Sequence, residues 1–99
     1  ILSANGQNIY PEEIEAVVNN QPYAIESVVV DRGARLVALV YTDSDKMKAD
    51  GADVEDFKKH VMHEVNRSMP AYSKVNAVEI MDQPFEKTPK MSIKRFMYK

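Results

Sequence analysis

The chain has 99 residues, 44% hydrophobic and 28% charged, the balance of one globular domain rather than two domains or a disordered tail. It contains no cysteine, which excludes disulfides, thiol catalysis and sulfur-bound zinc and fits a reducing cytoplasm, the expected compartment. No apolar run approaches the ~18 residues of a membrane span, so no transmembrane segment is expected and only peripheral membrane contact stays open.

A chain this short buries a modest core and builds little of the wall that a complete active site needs. Ile1 and Leu2 open the sequence where an initiator methionine would stand, which reads as a strand cut from a longer chain. The net charge of −2 is unevenly spread: residues 86–99 hold five basic groups against Glu86, a net +4, and leave a body of −6. A basic tail on an acidic body suits an anionic partner, or simply a solvated end.

Taken in chain order, Ser3 to Asn8 is a turn rich in small and amide residues, with Gly6 suited to a positive φ. Pro11 and the carboxylates Glu12, Glu13 and Glu15 mark a helix start. Ile14, Val17 and Val18 form its apolar stripe, so a helix is predicted over 11–20, closed by Asn19, Asn20 and Pro22. Glu13 and Glu15 are expected to serve the helix start, and Tyr10 to pack on the helix.

Two β-rich runs, 25–31 and 36–42, flank the break Arg32-Gly33-Ala34-Arg35 and predict an antiparallel hairpin whose apolar centres are covered on both faces. Residues 43–53 read as a solvated loop, because their aspartates miss the spacing of an EF-hand. Asp53 can cap a helix carrying Val54, Phe57, Val61 and Val65 and ending near Ser68, before Pro70. His60 and His63, three apart on that helix, have no third ligand in view and read as surface histidines rather than a zinc pair. Lys74 to Met81 is a third strand. The predicted fold class is α+β: a small three-stranded sheet with an antiparallel hairpin, helices packed on it, and an extended basic C-terminal segment.

No nucleophile–base pair and no glycine-rich phosphate loop is visible, so the chemistry must sit in two loops of unusual composition, 3–11 and 82–95. Pro84 and Pro89 hold the second one out of the sheet. In an extended run Lys90, Ser92 and Lys94 share one side and Met91 and Ile93 the other. Phe85 and Phe96 are expected as docking or core groups, and Met91 and Met97 as adaptable contacts of the tail.

The stretch Gly6-Gln7-Asn8-Ile9-Tyr10-Pro11-Glu12-Glu13-Ile14-Glu15 resembles the turn–helix signature of the adenylate-forming enzymes, above all the fatty acyl-CoA synthetases. Lys87-Thr88-Pro89 through Ile93-Lys94-Arg95 resembles the lysine-bearing segment that closes those enzymes, so the likeness spans essentially the whole chain. It implies the mobile C-terminal domain of a larger ligase. That enzyme would join a fatty acid to AMP from ATP and pass the acyl group to coenzyme A. Its N-terminal adenylation domain, the implied partner, would bind ATP, Mg²⁺ and the acid. In one pose a tail lysine would reach the carboxylate and the α-phosphate. In the other, Gly6, Gln7 and Asn8 would line the pantetheine channel. The 99-residue chain alone is then expected to be inactive.

The resemblance puts the catalytic lysine at Ser92, which carries no charge. Lys90 and Lys94 each lie two residues away, about 6.6 Å along an extended chain and within a lysine's reach. Lys90 is preferred over Lys94. An ammonium there would offset the repulsion between acid and triphosphate, worth about 4 kcal/mol at ~4 Å and an effective dielectric near 20 before desolvation. The alternatives are a non-enzymatic module binding a small ligand or anion, or a tail that holds nucleic acid. The acidic body and the lack of an aromatic platform on a basic face argue against nucleic acid.

Overall fold

The computed structural model describes residues 10–32, 35–70, 74–81, 83–89 and 93. The element order is α1 (Pro11–Asn19), β1 (Ala24–Asp31), β2 (Leu36–Thr42), α2 (Ser44–Asp50), α3 (Val54–Ser68) and β3 (Ala77–Met81). The predicted hairpin is present, with Val28 opposite Leu39 and Val30 opposite Val37. β3 lies on the other side of β2 and runs parallel to it, with Val78 beside Ala38. The result is a mixed sheet in the order β1-β2-β3, as α2 and α3 carry the chain from β2 to β3.

Alternation along the strands divides the apolar residues between two clusters. On the first face Val29, Ala38, Val40 and Val78 pack under Ile14 and Val18 of α1, Met47 of α2 and Phe57, Val61 and Val65 of α3. On the second face Val28, Val30, Val37 and Leu39 pack under Phe85, with Tyr41, Ala77, Met81 and Ile93 at the margin. The strands read as apolar on both sides because both sides are covered, the second by the segment that follows β3.

Two expectations need correction. The polar stretch 43–53 is not a continuous loop, since α2 occupies Ser44–Asp50. Asp43 Oδ1 accepts the Lys46 amide at 3.1 Å at its start, and Gly51 at φ 68° ends it with amide bonds to Lys48 and Met47 carbonyls. Only Met47 of this helix is buried, too little to leave a periodic stripe. Tyr10 does not pack away on α1; it stands at the N-cap, 55% exposed, and makes no side-chain cap bond. The helix start rests instead on Pro11 and the first-turn acids Glu12 and Glu13.

Candidate functional site

α1 is tied to the sheet by its own polar residues. Glu15, only 6% exposed, accepts the amide of Val29 through Oε2 at 2.7 Å. β1 is an edge strand, and this carboxylate supplies the acceptor that a neighbouring strand would otherwise give. Ser27 Oγ donates to Asn19 Oδ1 at 2.8 Å. Glu15 therefore meets the later half of β1 and Asn19 the earlier half, so α1 runs against β1 on the first face. Its N-terminus, where the Gly6–Glu15 motif enters, points toward the Asp31 end of the strand.

The second motif begins on the opposite face. After β3 the chain crosses the sheet, buries Phe85 to 3% exposure against β1 and β2, and brings Lys87 to Glu26 at the beginning of β1. Lys87 Nζ forms an ion pair with Glu26 Oε1, with 27% and 18% of the two side chains exposed. Lys87 also forms an antiparallel bridge with Ile93. Ile93 packs at the margin of the second cluster.

Regular alternation from Glu26 to Val30 puts Glu26 on that face with Val28 and Val30, and a bulge just before it turns Ala24 to the other. The pairing register shifts between Ala24 and Glu26: Ala24 lies opposite Thr42 and Glu26 opposite Tyr41. Ala24 packs on the first cluster, whereas Tyr41 borders the second. The extra residue, Ile25, is 49% exposed. Such an insertion lets residues two apart face opposite sides of a sheet, which strict alternation forbids. Glu26 Oε2 is buried with no hydrogen-bond partner among the described residues.

Of the residues expected to act, Gly6, Gln7, Asn8, Lys90, Ser92 and Lys94 all lie outside the described residues, as do Met91, Phe96 and Met97. Phe85 is a core group, as expected. Sequence reasoning missed Glu26. Its signal was a lone acid next to a β-branched run, facing a lysine-bearing tail 61 residues further on.

A separate open cleft of about 410 Å³ lies between the start of β1 and α3, lined by Pro22, Tyr23, Gly51, Ala52, Asp53, Asp56, Phe57 and His60. His60 Nε2 is engaged by Gln21 Oε1 at 2.8 Å, and Tyr23 donates its hydroxyl to Asp50 at 2.8 Å. Among the described residues no group of three or more His, Asp or Glu is placed to hold a metal ion, and no helix is long and apolar enough to cross a membrane.

Comparison with known proteins agrees with this architecture. Residues 1–98 match the family described as the AMP-binding enzyme C-terminal domain. The chain belongs to that family. Among solved structures it is similar to an anthranilate CoA ligase in complex with anthranoyl-AMP, at 19% identity and a TM-score of 0.80 over 97% of this chain and 18% of that one. It is similar to an acyl-CoA synthetase of Brucella canis, at 21% identity and a TM-score of 0.76 over 98% of this chain and 18% of that one. It is also similar to a fatty acyl CoA synthetase of Mycobacterium tuberculosis, at 20% identity and a TM-score of 0.73 over the same shares, 98% and 18%. The chain thus spans about a fifth of the length of these proteins. No curated protein matches it in sequence.

Proposed function

We propose that the chain is the mobile C-terminal domain of an adenylate-forming CoA ligase whose N-terminal domain lies outside this sequence. The observation that carries the proposal is the placement of its two motifs. α1, the helical part of the Gly6–Glu15 motif, packs on one face of the sheet; Phe85 and Ile93 pack on the other, where Lys87 pairs with Glu26 and Ile93. A rigid domain cannot turn both faces toward one active site together. Two poses are needed, and a ligase that first makes an acyl-adenylate and then a thioester uses two.

In the first pose the tail face meets ATP and the acid, and Lys90 is the ammonium that approaches carboxylate and α-phosphate. Lys94 is the second candidate, and Ser92 occupies the position between them. In the second pose Gly6, Gln7 and Asn8 border the pantetheine arm of coenzyme A, where a glycine leaves the backbone open to close approach. The likeness to the adenylate-forming enzymes assigns Mg²⁺ to the N-terminal domain.

The substrate we favour is a fatty acid, supported by the likeness of the first motif to the fatty acyl-CoA synthetases. The solved relatives include a fatty acyl CoA synthetase and an anthranilate CoA ligase, so an aromatic acid is the comparison that matters. The test is pyrophosphate release and thioester formation by the full-length protein with ATP, coenzyme A and either decanoate or benzoate. Turnover with decanoate well above benzoate is expected. Turnover with benzoate alone would overturn the fatty-acid assignment, and none with any carboxylic acid would overturn the ligase reading.

A further inference from the structure

We propose that the cleft between the start of β1 and α3 is a docking site for a partner protein, anchored by an arginine side chain with apolar neighbours. The two-pose reading bears only on when this site is open, not on what it binds.

The shape of the cleft suits one long side chain. It holds about 410 Å³, with Pro22 and Tyr23 on the β1 side and Phe57 among the residues from α3. Tyr23 is a firm wall. Its carbonyl accepts the Asp43 amide at 2.9 Å, its hydroxyl reaches Asp50 at 2.8 Å, and its ring meets Phe57 edge-on. A wall already held at three points has little freedom to lose when a ligand arrives.

Its charge is one-sided. Two carboxylates line the cleft, Asp53 and Asp56, and no lysine or arginine does. Asp53 caps α3 through the Glu55 amide at 3.4 Å. On the same helix Glu55 and Glu64 each hold a cation, Lys58 and Arg67, whereas Asp56 has no hydrogen bond or ion pair among the described residues. The Tyr23 ring is already a cation acceptor, with Lys46 Nζ 5.8 Å from its centroid. Aromatic walls beside carboxylates favour a guanidinium over an ammonium, because its plane stacks on rings while its edge donates to carboxylates.

The surroundings favour a protein over a free amine. Three large apolar residues stand exposed among the described residues, and two of them adjoin the cleft in sequence. Ile25, 49% exposed, comes two residues after Tyr23, and Val54, 42% exposed, comes directly after Asp53. Apolar groups beside an acidic cleft suit an arginine whose own neighbours are apolar, the usual make-up of an interface anchor.

The position decides which protein. The cleft lies at the Tyr23 end of β1, while the N-terminus of α1 points toward the Asp31 end. Phe57 belongs to the first cluster, and the tail covers the opposite face of the sheet through Phe85. Neither surface that turns toward the N-terminal domain contains the cleft, so it stays open through both poses to a protein other than that domain.

The experiment titrates the full-length protein with acetyl-Leu-Arg-Leu-amide and with the same peptide carrying citrulline, which keeps the shape of arginine and removes its charge. Calorimetry gives the Kd, and hydrogen exchange at peptides covering 20–25 and 50–60 gives the place. The arginine peptide should bind roughly tenfold tighter than the citrulline peptide and slow exchange in both regions. Asp56→Asn should abolish that advantage with Tm and thioester formation unchanged, and Glu55→Gln should alter the Kd by less than about twofold. Equal binding of the two peptides, or protection elsewhere, would overturn the proposal. Equal weakening by the two variants would replace the site with diffuse attraction to an acidic body. Agmatine binding as tightly as the arginine peptide would give the cleft to a small amine. Exchange in these regions that quickens in Asp56→Asn without any peptide would mean that the N-terminal domain or a second copy already fills the cleft, and would reject an outside partner. These binding results decide the cleft whether or not the protein proves to be a ligase.

Discussion

The carboxylate of Glu15 takes the amide of Val29 at 2.7 Å and thereby closes the outer edge of β1 with a side chain from α1. A buried, charge-assisted bond of this kind contributes about 1.5–3 kcal/mol, and its loss leaves the Val29 amide without that acceptor. Glu15→Ala should lower stability by about 2 kcal/mol, and Glu15→Gln, which keeps an acceptor oxygen, by about half of that. Urea unfolding checks this, with the midpoint falling and the slope unchanged.

Much of this architecture can be read in the residues. Phe57, Val61 and Val65 of the expected stripe mark the buried face of α3, while Val54 stays exposed at its start, and the β-branched runs around Arg32–Arg35 mark the hairpin. What hides is whatever depends on contacts between distant segments. The parallel pairing of β3 with β2 leaves no local mark, because strand direction is set by the crossover. α2 hides because one buried methionine makes no pattern, although its ends, Asp43 and Gly51, are ordinary cap residues that could have betrayed it. Glu15 looks like a first-turn acid serving the helix dipole, and only the folded sheet reveals its partner. For the candidate site the likeness of two motifs supplied the residues, whereas the Glu26–Lys87 contact joins segments 61 residues apart and shows only in the folded chain.

Phe85 seals the second face of the sheet over Val28, Val30, Val37 and Leu39. Phe85→Ala should cost about 3 kcal/mol, the low end for a buried phenylalanine because the tail can settle into part of the space. Limited trypsin digestion should then cut after Lys87 faster than in the parent. A loss of stability without faster cleavage would mean that Phe85 supports the sheet but does not hold the tail.

Gly51 closes α2 at φ 68°, and a methyl group there would meet no atom within 4 Å. The cost of Gly51→Ala is therefore conformational alone, about 1 kcal/mol, and Gly51→Asn should cost less because asparagine tolerates the left-handed region. Equal losses for the two variants in thermal unfolding would contradict this account.

Tyr23 sits at φ 73° between the end of α1 and β1, with its hydroxyl on Asp50 and its ring edge-on to Phe57 at 6.5 Å. The hydrogen bond to Asp50, aided by desolvation and the Asp50 charge, holds its pKa above the usual 10.0. A raised value means that the folded state favours the protonated phenol. Its contribution is complete below the unfolded pKa and is lost as pH rises through the folded one. Tyr23→Phe should accordingly be less stable than the parent near neutral pH, with the gap closing at strongly alkaline pH. A gap that persisted or widened there would assign the effect to packing.

The central claim is that one lysine of the tail serves acid activation and has no part in thioester formation. In the full-length protein, Lys90→Ala should slow acid-dependent pyrophosphate exchange by about 10²–10³, the usual loss for a preorganised group at developing charge, and leave thioester formation from supplied acyl-AMP intact. Lys94→Ala should have the smaller effect on exchange. Exchange at the parental rate in both variants, or loss of both half-reactions together, would contradict it.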